Sequence, residues 1–226
     1  MLLPTGDKMI ELYDMGRTTH KAVKGMYEFI VENIEKYVTD KKLAETLRKE
    51  AADRELPGHS IAQEHFSAMC NVWTRAYNAG DFPIDLGATI FPDTIPRFQK
   101  VKVNGRKIGI LTSASGDFTN ILYGLQISPN QKLSDLVDEY HLGEEIGDKD
   151  YPETFAGLWE KTKGGIYAIF DDKPSVCQAA SEGLKRAGGS AKIFLVDRKG
   201  RCSNEQLETL AQQGVVSIKS FDEVKD

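Results

Sequence analysis

The sequence is short of cysteine, of long apolar runs and of excess positive charge, and each shortage excludes something. Three cysteines occur in 226 residues, Cys70, Cys177 and Cys202, far apart and without a Cys-x-x-Cys. That spacing excludes a disulfide framework, argues against a zinc site and fits reduced thiols in a cytoplasmic compartment. No run of about eighteen apolar residues is present to cross a membrane, and the N-terminus lacks the basic-then-apolar pattern of a signal peptide. The expectation is a cytoplasmic chain with no membrane partner. With 29 basic and 34 acidic residues the net charge is −5, which argues against a nucleic-acid surface. No internal repeat or low-complexity segment breaks the chain. Its length allows one large domain, or one domain carrying an insertion.

What is there is organised around Gly165–Leu184. Ile166–Phe170 is an apolar run rich in β-branched and aromatic residues, as expected of a strand buried on both faces. It ends in Asp171 and Asp172. Pro174 suits the first turn of a helix, and Val176, Ala179, Ala180 and Leu184 recur at helical spacing. Adjacent carboxylates repel, so they are tolerated in water or beside a cation. Flanking apolar residues favour a metal-binding pair over a solvated acidic turn.

Met9–Tyr13 reads as a first strand. From His20 to Ala79 the pattern turns helical. Val23, Met26, Ile30, Ile34 and Val38 share one face, and Leu43 and Leu47 begin a second helix. Pro57 and Gly58 break the chain, and Ser60 caps a third helix with Ile61, Phe66, Met69, Trp73 and Tyr77 on its face, stopped by Gly80. The aromatic and methionine positions of this block read mainly as packing between helices. Beyond it come a short helix after Phe91, a strand at Lys107–Leu111, and helices at Phe118–Leu125 and Leu133–Tyr140. A short extended piece at Glu145–Ile146 and a helix at Pro152–Lys161 follow. After the central strand and its helix to Ala187 come a strand at Lys192–Val196, a helix at Asn204–Gln213 and a strand at Val215–Ile218. This alternation predicts a three-layer, Rossmann-like α/β domain with a parallel sheet, built from residues 1–19 and 80–226, with residues 20–79 inserted as a helical cap.

Four polar clusters fall at one edge of that sheet: Asp14, Thr112 with Ser113, Lys149, and Asp171 with Asp172. They offer a nucleophilic carboxylate, hydroxyl donors, a fixed cation and a metal-binding pair, the parts that phosphoryl transfer requires. Each alone has a plainer reading, as a helix cap, a turn residue or a surface lysine. The four histidines, His20, His59, His65 and His141, lack metal spacing and read as surface or cap residues.

In order and spacing these residues resemble the haloacid dehalogenase-like hydrolases, most of all the enolase-phosphatases. Leu12–Thr19 is similar to the family's nucleophile motif, Ile110–Ser115 to its phosphate-binding motif, Gly147–Phe155 to its lysine motif, and Phe170–Pro174 to its acidic metal motif. The resemblance implies that Asp14 attacks phosphorus, that Thr112 or Ser113 binds the phosphoryl group, and that Lys149 balances the charges. It further implies that Asp14, Asp171, Asp172 and the backbone carbonyl of Gly16 hold Mg²⁺, the hard cation suited to oxygen ligands and phosphate. The expected substrate is a small phosphorylated metabolite.

The sequence departs from the family pattern in three places. Gly16 stands where these phosphatases place an acid, Arg17 where a glycine normally follows, and Val176 where the fourth motif often has a second acidic residue. Loss of a general acid or base slows a reaction by about 10²–10⁴-fold. Two alternatives stay open. One is a phosphonate-cleaving relative with a Schiff-base lysine in the cap (Lys21, Lys24 or Lys36). The other is a phosphate- or partner-binding module with weakened turnover.

Overall fold

A computed structural model describes residues 9–54, 56 and 61–225. Pro57, Gly58, His59 and Ser60, read above as a break and a helix cap, lie outside the described residues, as do residues 1–8.

Strand β1 (Ile10–Tyr13) is followed by a tight turn and then by helices α1 (Met26–Tyr37), α2 (Lys41–Asp53) and α3 (Gln63–Asn78). No strand interrupts these three among the described residues. Asp40 caps α2 by accepting from the amides of Lys42 and Leu43. Val23, Val38 and Ile61 were assigned to helix faces by spacing but flank the helices, and they pack against the same core. Two short helices, α4 (Leu86–Thr89) and α5 (Thr94–Val103), lead into β2 (Lys107–Thr112) and α6 (Gly116–Tyr123). A small hairpin of β3 (Gln126–Ser128) and β4 (Gln131–Lys132) follows.

The expected helix at Leu133–Tyr140 is instead a 3₁₀ turn at Leu133–Leu136 followed by β5 (Glu139–Leu142). Leu133, Leu136, Val137 and Tyr140 do recur at helical spacing. However, Leu133 and Leu136 bury the turn, while Tyr140 pairs with Ile110 of β2. Tertiary strand pairing overrides a local period of this kind. Glu145–Ile146, expected to be extended, belongs to a helical turn, α7 (Gly143–Ile146). The rest alternates as read: α8 (Pro152–Lys161), β6 (Ile166–Asp171), α9 (Pro174–Arg186), β7 (Lys192–Val196), α10 (Asn204–Gln212) and β8 (Val215–Ile218).

Six strands form one parallel sheet in the order β5-β2-β1-β6-β7-β8. The chain winds outward from β1 to β5, then returns to the other side of β1 with β6. Such a reversal opens a crevice at the carboxyl ends of the central strands. Alternation along β1 sends Ile10 and Leu12 into a core with α8, α9 and α10. Tyr13 faces a second core with Phe98, Phe118 and Phe170. That second core runs on into α1–α3 through Trp73, whose ring lies 5.6 Å from Phe118 and whose Nε1 donates to the Met26 carbonyl at 2.8 Å.

Candidate active site

Asp14 directly follows β1, Thr112 closes β2 and Asp171 closes β6, so parallel strands deliver all three to the same edge. Lys149 lies between α7 and α8 and reaches back into the sheet. Its Nζ pairs with Asp14 Oδ1 and donates to Asp171 Oδ2 at 2.8 Å and to the Leu111 carbonyl at 3.4 Å. Lys149, Asp14 and Asp171 are all buried, and Asp172 is half-buried. Carboxylate oxygens of Asp14, Asp171 and Asp172 lie within 4.8 Å of one another.

Three carboxylates around one ammonium leave an excess of negative charge. Burial pushes the Asp14 carboxyl up to about 7 against the pull of Lys149, with Asp171 and Asp172 adding repulsion. Burial and then Asp171 push Asp172 up to about 6, against Arg17, Lys149 and Lys173. Burial works against the Lys149 ammonium, but Asp14 and Asp171 outweigh it and hold its pKa well above that of an ordinary lysine. The donor set is hard oxygen, anionic and clustered, so it fits a divalent cation such as Mg²⁺.

The three acids are not equivalent. Asp171 is engaged at both oxygens, by Lys149 and by the Lys173 amide at 3.0 Å. Asp172 receives no hydrogen bond from the described residues. Asp14 Oδ1 is held by Lys149, while Oδ2 faces Gly16. A Cβ built on Gly16 would meet only that oxygen, at 3.9 Å. Gly16 is exposed, and Arg17 beside it holds a left-handed φ of 61°. Thr112 is buried, its Oγ1 accepting from the Ala114 amide at 3.1 Å, and Ser113 is half-buried.

The turn after Asp14 is held by residues that local reading missed. Thr19 Oγ1 donates to the Asp14 carbonyl at 3.1 Å and lies 3.0 Å from Tyr123 Oη. Arg198 donates to the Thr18 carbonyl from Nε and Nη2 at 3.1 and 2.9 Å and pairs with Asp93 at 2.9 Å. Arg198 stands 105 and 180 positions from these partners, and no local pattern announces such a contact. His20 and His141, read as surface or cap residues, are buried instead. His20 lies against Tyr123, and burial pushes its pKa down to about 4. His65 pairs with Glu50 at 2.8 Å.

No protein-family model and no curated protein matches the sequence. Solved structures do match in shape. A phosphatase of the haloacid dehalogenase class from Thermococcus onnurineus aligns at 18% identity and TM-score 0.57, over 95% of each chain. CbbY from Rhodobacter sphaeroides, determined in complex with phosphate, aligns at 12% identity and TM-score 0.56, also over 95% of each chain. A hydrolase from Pseudomonas syringae aligns at 15% identity and TM-score 0.56, over 96% of this chain and all of the other.

The chain has the haloacid dehalogenase-like fold. Within that fold the likeness is spread across these proteins and does not single out the enolase-phosphatases. Among the described residues no helix is long and apolar enough to cross a membrane.

Proposed function

We propose that the chain is a Mg²⁺-dependent phosphohydrolase of a small phosphorylated metabolite, working through an aspartyl-phosphate on Asp14 in the manner of the enolase-phosphatases. In this reading residues 20–79 serve as the cap and residues 1–19 with 80–226 as the core. One observation carries it: Lys149 bridges Asp14 and Asp171 inside a three-carboxylate cluster at the carboxyl ends of neighbouring parallel strands.

In the proposed reaction Asp14 Oδ2, on the open side, attacks phosphorus. Lys149 holds Oδ1, orients the carboxylate and favours its ionised form against the effect of burial. The Thr112 and Ser113 loop offers donors to the equatorial oxygens. Asp14 and Asp172, with the Gly16 carbonyl, would hold Mg²⁺, and Asp171 fixes Lys149 beside them. The cation, when bound, neutralises charge that develops on the phosphoryl oxygens. The P–O bond to the leaving group breaks as the Asp14 ester forms. The departing oxygen takes its proton from water, because Gly16 supplies no acid. Water then attacks phosphorus and frees Asp14.

Without an acid, good leaving groups should react best. The expected result is hydrolysis of p-nitrophenyl phosphate that needs Mg²⁺, stops with EDTA and exceeds hydrolysis of an alkyl phosphate. Turnover undiminished by EDTA would overturn the metal assignment. Clear binding of inorganic phosphate with no turnover of either ester would favour the binding module, the reading that Gly16 and the left-handed Arg17 support. The phosphonate-cleaving alternative gains nothing from the lysines. Lys36 pairs with Asp81, Lys21 lies over the Phe91 ring at 5.9 Å, and Lys24 is exposed.

A further inference from the structure

A groove of about 440 Å³ runs along α3 on the side facing the sheet edge, lined by Gln63, Glu64, Ser67, Ala68, Asn71 and Gly143. Gln63, Ser67 and Asn71 fall at i, i+4 and i+8, so their side chains form one row along the helix. The row begins at the phosphate loop. Gln63 Nε2 donates to the Ser113 carbonyl at 2.7 Å. Gly143 closes the gap between them, since a Cβ there would lie 2.9 Å from Gln63 Nε2 and 3.3 Å from Ser113 Cα. Tyr13 of β1 is opposite Ile110 of β2, which places Ser113 two residues beyond the point opposite Asp14. Strand spacing and rise put the two residues roughly 8 Å apart. A phosphoryl group at Asp14 and an organic portion along α3 can therefore belong to one small molecule.

The lining defines the chemistry. Among the described residues it offers a hydroxyl, two amides and one carboxylate, and no basic side chain. A second anionic group on the substrate would meet Glu64 without a compensating cation. Hydroxyl groups, which both donate and accept, match every polar side chain present. We propose that this groove receives the unphosphorylated part of the substrate, and that this part is a neutral, polyhydroxylated chain or ring. The assignment rests on the phosphohydrolase reading for the reaction but not for the binding.

The test compares wild type with Ser67→Leu, Asn71→Leu and the double variant, all at the helix surface, on three Mg²⁺-dependent reactions: sorbitol 6-phosphate, phosphoglycolate and p-nitrophenyl phosphate. Wild type should prefer sorbitol 6-phosphate to phosphoglycolate. The double variant should lower kcat/KM for sorbitol 6-phosphate, relative to p-nitrophenyl phosphate, by about tenfold or more, chiefly through KM. Preference for phosphoglycolate, or an unchanged ratio in the double variant, would overturn the proposal. If no ester is turned over, the phosphohydrolase reading fails separately, and calorimetric titration with sorbitol 6-phosphate decides the groove. Binding weakened by the double variant supports it, and binding that is absent or unaffected overturns it.

Discussion

Glu11 in β1 and Asp14 just beyond its end anchor two clusters of buried charge, and their balance differs. At Glu11 one carboxylate faces two guanidinium groups. Arg97 donates to both oxygens at 2.9 and 2.7 Å, and Arg106 and the Tyr13 hydroxyl bind as well. Arg106 also stacks over the Tyr167 ring at 4.0 Å. At Asp14 three carboxylates face one ammonium. Both Glu11 oxygens are held by guanidinium groups, as a buried carboxylate needs to be to repay its desolvation. The second cluster is short of positive charge, and its excess falls at the sheet edge where this fold opens to ligands. Charge left unbalanced at such a point supports the proposed metal and phosphate site.

The largest expected effect lies in the Glu11 cluster. Glu11→Ala removes a fully buried carboxylate bonded to Arg97, Arg106 and Tyr13 and should cost about 3–5 kcal/mol of stability in denaturant unfolding. A cost below about 1 kcal/mol would mean the two clusters do not differ in the way described.

Next comes Gly16→Asp. A Cβ at Gly16 meets nothing closer than Asp14 Oδ2 at 3.9 Å, and no positive φ resists a side chain there. The variant should raise turnover of an alkyl phosphate by about 10²-fold and that of p-nitrophenyl phosphate by much less. Equal gains on both would show that something other than a missing acid limits the reaction.

The two clusters differ in how far the residue order announces them. The convergence of Asp14, Lys149 and Asp171–Asp172 could be read because each sits at a strand end or just before a proline-started helix. Glu11 could not. It lies in the middle of an apolar strand, and its partners Arg97 and Arg106 are 86 and 95 positions away. The same holds for Arg198 and for buried His20, whose environments are set by packing of distant segments. β5 departs from its local pattern for a related reason, since Tyr140 completes a helical period by spacing but pairs with β2 in space.

A smaller effect separates the clusters by pH. Asp14 and Asp172 sit at about 7 and about 6, above ordinary aspartates, so both are increasingly protonated as pH falls below those values. In the proposed reading Mg²⁺ binds the ionised forms, so the metal should stabilise the fold more as pH rises through about 6 to 7. The rise in Tm on adding Mg²⁺ should be slight near pH 5 and larger near pH 8 (roughly 1–2 kcal/mol at 10–30 times Kd). A rise that is equal at both pH values would place the metal elsewhere. In Glu11→Ala the same pH dependence should persist.

The smallest effect is at Arg17. Its left-handed φ of 61° suits glycine, so Arg17→Gly should relieve up to about 1 kcal/mol of backbone strain, offset in part by unfolded-chain entropy. A clear loss of stability would show that the Arg17 side chain makes a contribution beyond its charge near Asp172.

Asp14→Asn tests the central claim most directly when activity and stability are measured on the same metal-free and Mg²⁺-loaded samples. Removing one of three crowded carboxylates should abolish Mg²⁺-dependent hydrolysis of p-nitrophenyl phosphate, leave the metal-free Tm unchanged or higher, and reduce the stabilisation by Mg²⁺. Retained hydrolysis, or a metal-free Tm that falls as far as it does for Glu11→Ala, would contradict the account.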